Sequence, residues 1–515
     1  MNNIAAIRTL IIYAVCIPLA LILGYLITDP LDRTTDTIFG VVLLLLLVPL
    51  LFRWYHAWLL AVWNMAAVIT FLPGLFPIWI PVGGLAFLIA MGHYALNRDR
   101  KFIQAGSVGS SLVFLSIVVA VTAKFRGGLG FHAFGDEAVG GKRYLWIWMA
   151  VIGYFALTSQ AIPRQKRNFY AMLFLLGGMT SALSTIADMS RGALGFLYLF
   201  FPSASSQYSN VIGNPFAQES LERFGGFALA GGTLAYVLVA RYGMEGVLNV
   251  RKLWRPVLFF LALVSTLFGG YRSIIILTGL TIVMVFCFEG VWRTRLMPII
   301  ALGVILAGGL VVSFSNQLPL SCQRCLAFLP LKIDPVARLS AEGSSDWRLE
   351  MWRSLYPQIP QYLFLGKGLT FDANDMAMNM TLGNQVEGDV GGQAALAGDY
   401  HNGPLSLIIP FGIWGAIGFL WFLAASLKVL WANYKYGDPE VRTINVWVIS
   451  YFVARTIFFF AVFGGFYSDL MIFTGLIGFS VSLNGGVAKP ALAPQPARAF
   501  NRFRPLPLGK PLTTS

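Results

Sequence analysis

Charge is what this chain has least of. Only 12% of its 515 residues are Asp, Glu, Lys or Arg and 57% are hydrophobic, where a soluble domain carries about 25% charged residues. With a mean hydropathy of +0.70, that shortage excludes an ordinary water-soluble globule and describes a chain that crosses a membrane repeatedly. Cysteine is scarce too, and four of them cannot build a disulfide scaffold at this length. With four histidines and no HExxH, no Walker A sequence and no GxSxG, the usual zinc proteases, nucleotide-driven machines and serine hydrolases drop out. No internal repeat and no heptad pattern occurs.

What charge there is leans basic, 37 Lys and Arg against 23 Asp and Glu for a formal +14. In a soluble protein that surplus would raise nucleic acid as a partner. Here no surface interleaves bases with aromatics, so the surplus is assigned to a positive-inside face and anionic headgroups, and nucleic acid is not expected. Cys16 and Cys287 lie in apolar runs and read as small core residues. Cys322-Gln323-Arg324-Cys325 sits in polar sequence and is compatible with a local disulfide, with two free thiols, or with a metal or redox role.

Crossing the hydrocarbon core takes about 20 apolar residues. Candidate spans fall near 9–27, 38–52, 57–73, 77–95, 107–123, 144–162, 169–188, 226–241, 256–270, 273–289, 298–315, 403–431, 443–463 and 468–484. The pairs around Pro73 and Gly269 are the weakest, so the expectation is an all-α polytopic bundle of twelve to fourteen transmembrane helices. The run after Arg8 lacks a small-residue cleavage site and reads as a retained span. With the N-terminus inside, the basic clusters at 98–101, 164–167, 251–255, 293–295 and 428–442 share one side with Arg8 and Arg53. Both termini are then cytoplasmic. The chain divides into N-terminal helices (1–189), helices with two arginine motifs (190–315), a long extracytoplasmic loop (316–403), C-terminal helices (404–484) and a basic tail (485–515) rich in Pro and Ala, expected to be disordered.

Three polar segments fall outside. Lys124 to Arg143 is Gly-rich and reads as a solvated loop; Ser190 to Gly225 carries Phe196, Tyr198, Phe200 and Phe201, which suit a short interfacial helix; Asn316 to Gly403 is the longest. Within the last, Trp347, Met351 and Leu355 recur at helical spacing, so a helix is expected from Asp346, capped by Asp346 or Ser345 and interrupted at Pro357 and Pro360. Arg348 and Trp352 share a face of it. Glycines from Gly366 to Gly398 suggest an irregular or mobile loop, and no strand stands out.

Candidate chemistry gathers at the outer span ends. Arg272, in Gly270-Tyr271-Arg272-Ser273, and Arg223, in Arg223-Phe224-Gly225-Gly226, place guanidiniums at membrane boundaries, where phosphate is their best planar partner and a snorkelling side chain the plain alternative. His401, before Asn402 and Gly403, stands at the start of a span, where an imidazole can accept a hydroxyl proton near neutral pH. Arg191, in Ser190-Arg191-Gly192, is a secondary phosphate candidate.

In order, Arg223-Phe224-Gly225-Gly226, Tyr271-Arg272-Ser273, Asp346-Trp347-Arg348 with Trp352, Leu365-Gly366-Lys367-Gly368, and His401-Asn402 followed by Pro410-Phe411-Gly412-Ile413-Trp414-Gly415 resemble the O-antigen ligase and polymerase superfamily. The resemblance covers roughly residues 215–425. Two departures stand out: the family usually has Ser-Arg-Gly at the Arg272 motif, and an acidic residue where this chain has Pro410.

The resemblance implies a GT-C-type glycosyltransferase of the bacterial inner membrane. Its donor would be an undecaprenyl-pyrophosphate-linked glycan, its acceptor a glycan or lipid hydroxyl, and it would work among membrane lipids with no cofactor and no metal. His401 and Arg272 would be catalytic; Arg223, Arg272, Arg348, Arg191 and Asn402 would bind pyrophosphate or glycan. Asp399 or Asn402 could orient the imidazole. Polymerase, ligase onto lipid A core and protein O-oligosaccharyltransferase differ in acceptor, and the number of spans leans toward polymerase. A transporter or flippase is the reading from another class; its ionisable residues would sit at mid-membrane depth, and Arg455 is the one obvious cation within a span.

Overall fold

A computed structural model describes residues 52–70, 75–96, 102–127, 141–202, 223–370 and 400–490, with scattered positions before 52. The two expected spans before residue 52, the 371–399 stretch and the tail from 491 lie outside the described residues. Among these, nine helices are long and apolar enough to cross a membrane, from Trp79–Leu96 to Phe466–Asn484. The chain is a polytopic helical membrane protein. Gly141–Leu157 and the apolar Trp254–Gly269 stretch add shorter helices.

Three expectations need correction. The 57–73 span does not form, because the helix of residues 52–63 ends at Trp63. The chain leaves the helical ladder after Trp63, and Val68–Ile69 instead pairs antiparallel with Phe76–Pro77. Its backbone groups find partners across the fold: the Ala66 N–H donates to Thr180 Oγ1 at 3.0 Å and the Val68 N–H to the Phe200 carbonyl at 2.7 Å. These partners take up donors that the helix no longer serves. Second, the helix expected from Asp346 begins eleven residues earlier, at Pro335, with Asp334 accepting from the Val336 N–H and Pro335 in the first turn. Third, Cys287 is exposed and not in the core, because it shares an outward face of the Arg272–Glu289 helix with Val283 four residues before it.

The core is aromatic. Phe419 touches Phe422, Phe459, Phe466 and Phe473 with ring centroids 5.1 to 6.2 Å apart, and Phe174 stacks on Phe479 at 4.5 Å. Between helices in lipid the hydrophobic effect gives no drive, so this packing and close small-residue contacts hold the bundle. Leu296–Ser313 is the opposite case, an apolar span with none of its residues buried.

Gly412 breaks the long Gly403–Tyr436 helix. Its φ is +65°, a conformation that an L side chain adopts only with strain, and Pro410 removes a donor nearby. The released groups pair with the chain before them: Lys367 N–H donates to Ile409 O at 2.7 Å, Gly368 N–H to Pro410 O at 2.9 Å and Ile413 N–H to Leu363 O at 2.6 Å. Leu365-Gly366-Lys367-Gly368 and Pro410–Gly415 are thus two halves of one backbone clip. Arg126 joins it, donating from Nε to Gly366 O at 2.9 Å. Neither Arg126 nor the buried Lys142 is part of a merely solvated loop.

Candidate functional site

Arg223, Arg272, Arg348 and His401 come from widely separated sequence and meet at one end of the bundle. Arg272 is the first residue of the Arg272–Glu289 helix. There its charge adds to the positive end of the helix dipole instead of offsetting it, an arrangement that favours an anion. Both of its hydrogen bonds leave through Nη2, to the Ala341 carbonyl and to Ser345 Oγ, each at 2.9 Å. These acceptors lie on the Pro335–Leu355 helix, so the polar segment is fastened directly over the Arg272 motif.

Arg223 reaches the same turn from the Gly225–Val247 side. The Phe224 N–H donates to Phe268 O at 3.1 Å, and the Arg223 guanidinium lies 5.8 Å from the Tyr271 ring centroid. Gly270 allows the approach: its φ is +67°, and a Cβ there would stand 3.5 Å from Arg223 Cγ.

A further guanidinium completes this group. Arg324, only 6% exposed, donates from Nη1 to the Gly270 carbonyl at 2.5 Å and from Nε to Ser340 Oγ at 3.0 Å. Burial, and then the charges of Arg223 and Arg272, push it down to about 10 from the usual arginine value. It remains a cation at neutral pH. The sequence marks Cys322-Gln323-Arg324-Cys325 by its thiols; the folded segment uses its guanidinium. No local pattern could have signalled this, since the partners are 54 and 16 residues away. Both thiols are free and buried in the short Leu320–Cys325 helix, and burial pushes Cys325 up to about 12.

The second half of the site is built on His401. Its φ of +49° places it in the left-handed region, uncommon outside glycine and often a mark of a functional position. Its ring stacks on Phe463, with centroids 4.8 Å apart and planes 26° apart, and meets the Trp347 edge at 5.3 Å. Arg348 lies over the other partner, its guanidinium 5.7 Å from the Phe463 centroid. Trp352 Nε1 donates to the Tyr400 carbonyl at 2.8 Å, so Trp352 joins Trp347 and Arg348 around the His401 turn. Asn402 caps the following helix, its Oδ1 accepting from the Leu405 N–H at 3.1 Å. Arg348 follows Ser345, the Arg272 anchor, by one helical turn, about 5 Å of rise. The Pro335–Leu355 helix therefore joins the arginine group to the histidine.

Arg191 is not brought into this arrangement. It is exposed in a turn with φ +50° after the Ala182–Met189 helix, and among the described residues its side chain makes no hydrogen bond. Asp399 lies outside the described residues. Among those described, no three His, Cys, Asp or Glu side chains converge as metal ligands. A cavity of about 360 Å³ opens beside the arginines between Ser181, Ser184, Gly225, Gly226, Tyr271 and Ser273.

Residues 257–420 match the O-antigen ligase family. Over this segment, less than half of the chain, the protein is similar to O-antigen ligases. The match encloses Arg272, Arg324, Arg348, His401 and the Gly366–Gly412 clip, and it supports a likeness of this segment to the O-antigen ligase and polymerase superfamily. No curated protein matches the chain.

Proposed function

We propose that this membrane protein transfers a glycan from an undecaprenyl pyrophosphate to an acceptor hydroxyl at the extracytoplasmic face of a bacterial inner membrane. The observation that carries this reading is the convergence of Arg223, Arg272 and Arg324, with Arg348 one turn away, beside a histidine at a helix start. Pyrophosphate is a good leaving group once its charge is held, and guanidiniums can hold it bidentately in place of a divalent cation. Among the described residues Arg272 uses only Nη2, so Nε and Nη1 would serve that contact. The neighbouring cavity, mostly apolar, suits the first isoprene units.

In the proposed reaction the acceptor oxygen attacks the anomeric carbon as the bond from that carbon to the phosphate oxygen breaks. The leaving electron pair stays on the pyrophosphate, the acceptor proton passes to His401, and the anomeric configuration inverts. The proposed acceptor is the growing end of a second lipid-linked glycan, a polymerase reaction; the span count read from the sequence supports this choice.

Surface glycan from a deletion strain, analysed by mass spectrometry, tests it. Accumulated single repeat units support the polymerase. Long lipid-linked chains would make the enzyme a ligase, and translocation without bond formation in liposomes would make it a transporter.

A further inference from the structure

The site rests on a charged pair that the proposed chemistry does not use. Arg455 and Asp469 lie in the consecutive helices Arg442–Ala461 and Phe466–Asn484. Arg455 donates to Asp469 Oδ1 through Nε at 2.7 Å and also through Nη2, and Asp469 is 1% exposed. A charged pair inside spanning helices is costly to bury and seldom raises stability over an apolar pair. Its position suggests what it does instead: Asp469 Oδ2 accepts from the Gly465 N–H at 2.9 Å, fixing the 462–465 link between the two helices.

That link is pinned from both sides. The N–H groups of Val462 and Phe463 donate to Phe458 O, each at 2.9 Å. The Phe466 N–H donates to Ser406 Oγ at 3.0 Å, and Ser406 Oγ donates to Gly403 O at 2.8 Å, in the first turn of the His401 helix. A Cβ on Gly464 would come within 2.8 Å of Gly403 Cα, so the link lies directly on the backbone two residues after His401. What it presents there is Phe463, stacked on the His401 ring and lying under the Arg348 guanidinium.

We propose that Phe463, on the link clamped by Arg455 and Asp469, is the positioning residue that sets the plane of the His401 imidazole and its distance from Arg348. The proposal rests on His401 acting as the base. The parallel stack removes ring rotation that the strained, non-helical backbone of His401 would otherwise leave open, and Trp347 closes the edge. Sharing one aromatic ring between base and arginine couples the proton acceptor to the charge that holds the leaving group. Misplacing a reacting group by about 1 Å can cost on the order of 100-fold in rate.

The chain has four histidines, so ring-labelled histidine gives a countable NMR spectrum of the full protein in lipid nanodiscs, and His401→Ala assigns the His401 signal. Phe463→Leu keeps most of the volume and removes the ring; Phe463→Tyr keeps the ring. With a polyprenyl-pyrophosphate glycan as donor, Phe463→Leu is expected to displace the His401 signal and lower kcat about 10- to 100-fold while leaving KM for the donor nearly unchanged. Phe463→Tyr should retain both the signal and the rate. An unmoved His401 signal in Phe463→Leu, or a moved signal with unchanged kcat, overturns the proposal.

The double variant Arg455→Met/Asp469→Leu removes both charges, so neither is left buried alone, and it should move the signal as Phe463→Leu does. A wild-type signal there overturns the clamp. Full activity in His401→Ala would instead overturn the base assignment, while the signal still reports whether Phe463 sets the ring.

Discussion

The two ends of the bundle handle polar groups in opposite ways. At the end bearing Asn433, amides answer one another: Asn445 Nδ2 donates to Asn484 Oδ1 at 3.0 Å, Asn484 Nδ2 returns to Asn445 Oδ1 at 2.9 Å, and Asn433 Nδ2 donates to Ser480 Oγ at 3.1 Å. The cation there, Arg167, meets a carboxylate, Asp438, at 2.8 Å. At the other end Arg272 and Arg324 bond, among the described residues, to carbonyls and serine hydroxyls. The first network is complete in itself, as a structural element should be. The second holds Arg272 and Arg324 in place through acceptors that, among the described residues, carry no charge, which suits an anion site.

The sharpest way to break this contrast is within the ion pairs. Arg455→Ala leaves the Asp469 carboxylate buried alone and is expected to cost roughly 3–5 kcal/mol, seen as a collapse of the thermal midpoint in detergent. Gly412→Ala comes next. A side chain at φ +65° costs about 1–2 kcal/mol, and its Cβ would stand 2.8 Å from the Leu363 and Phe364 carbonyls; loosening of the clip should appear as faster proteolysis near residue 366.

Arg324→Met sharpens the functional side. It should lower glycan transfer on the order of 10-fold or more with the thermal midpoint little changed, because the loss is of charge and of a strut to Gly270. Since Arg324 is pushed down only to about 10, it stays charged from pH 6 to 8. A pH–rate limb in that range must therefore come from another group. The smallest effect belongs to Asp438→Asn. The Glu440 N–H, and then Arg167, hold the Asp438 carboxyl below the usual range. Whatever it contributes is present above the ordinary aspartate value and is lost as pH falls through the lowered one. At pH 7 the variant should differ little from wild type in melting, and the difference should vanish in acid.

Much of the bundle was legible because the membrane imposes one strong rule, about 20 apolar residues per crossing. Trp79–Leu96, Val108–Arg126 and Phe466–Asn484 fall where that rule puts them. It misled at Trp63, where an apolar run continues but the tertiary hydrogen bonds of Ala66 and Thr70 decide otherwise. The rule is silent on Pro335–Leu355, whose first half has only Val336 and Leu339 as large apolar residues; Asp334-Pro335 was the readable signal there. The arginines at span ends and the histidine before a span were visible as residue types in costly places. Arg324, Phe463 and the Arg455–Asp469 clamp were not, since each acquires its meaning from partners that only the fold brings near.

The central claim is that the arginine group holds the leaving pyrophosphate. It is tested most directly by following release of undecaprenyl pyrophosphate from a lipid-linked glycan by purified wild-type, Arg272→Lys and Arg272→Ala protein in liposomes. The account predicts release matching glycan transfer in the wild type, a loss of at least about 100-fold in Arg272→Ala, and little rescue by lysine, which lacks the planar fork. Release at the wild-type rate by well-folded Arg272→Ala protein would contradict it.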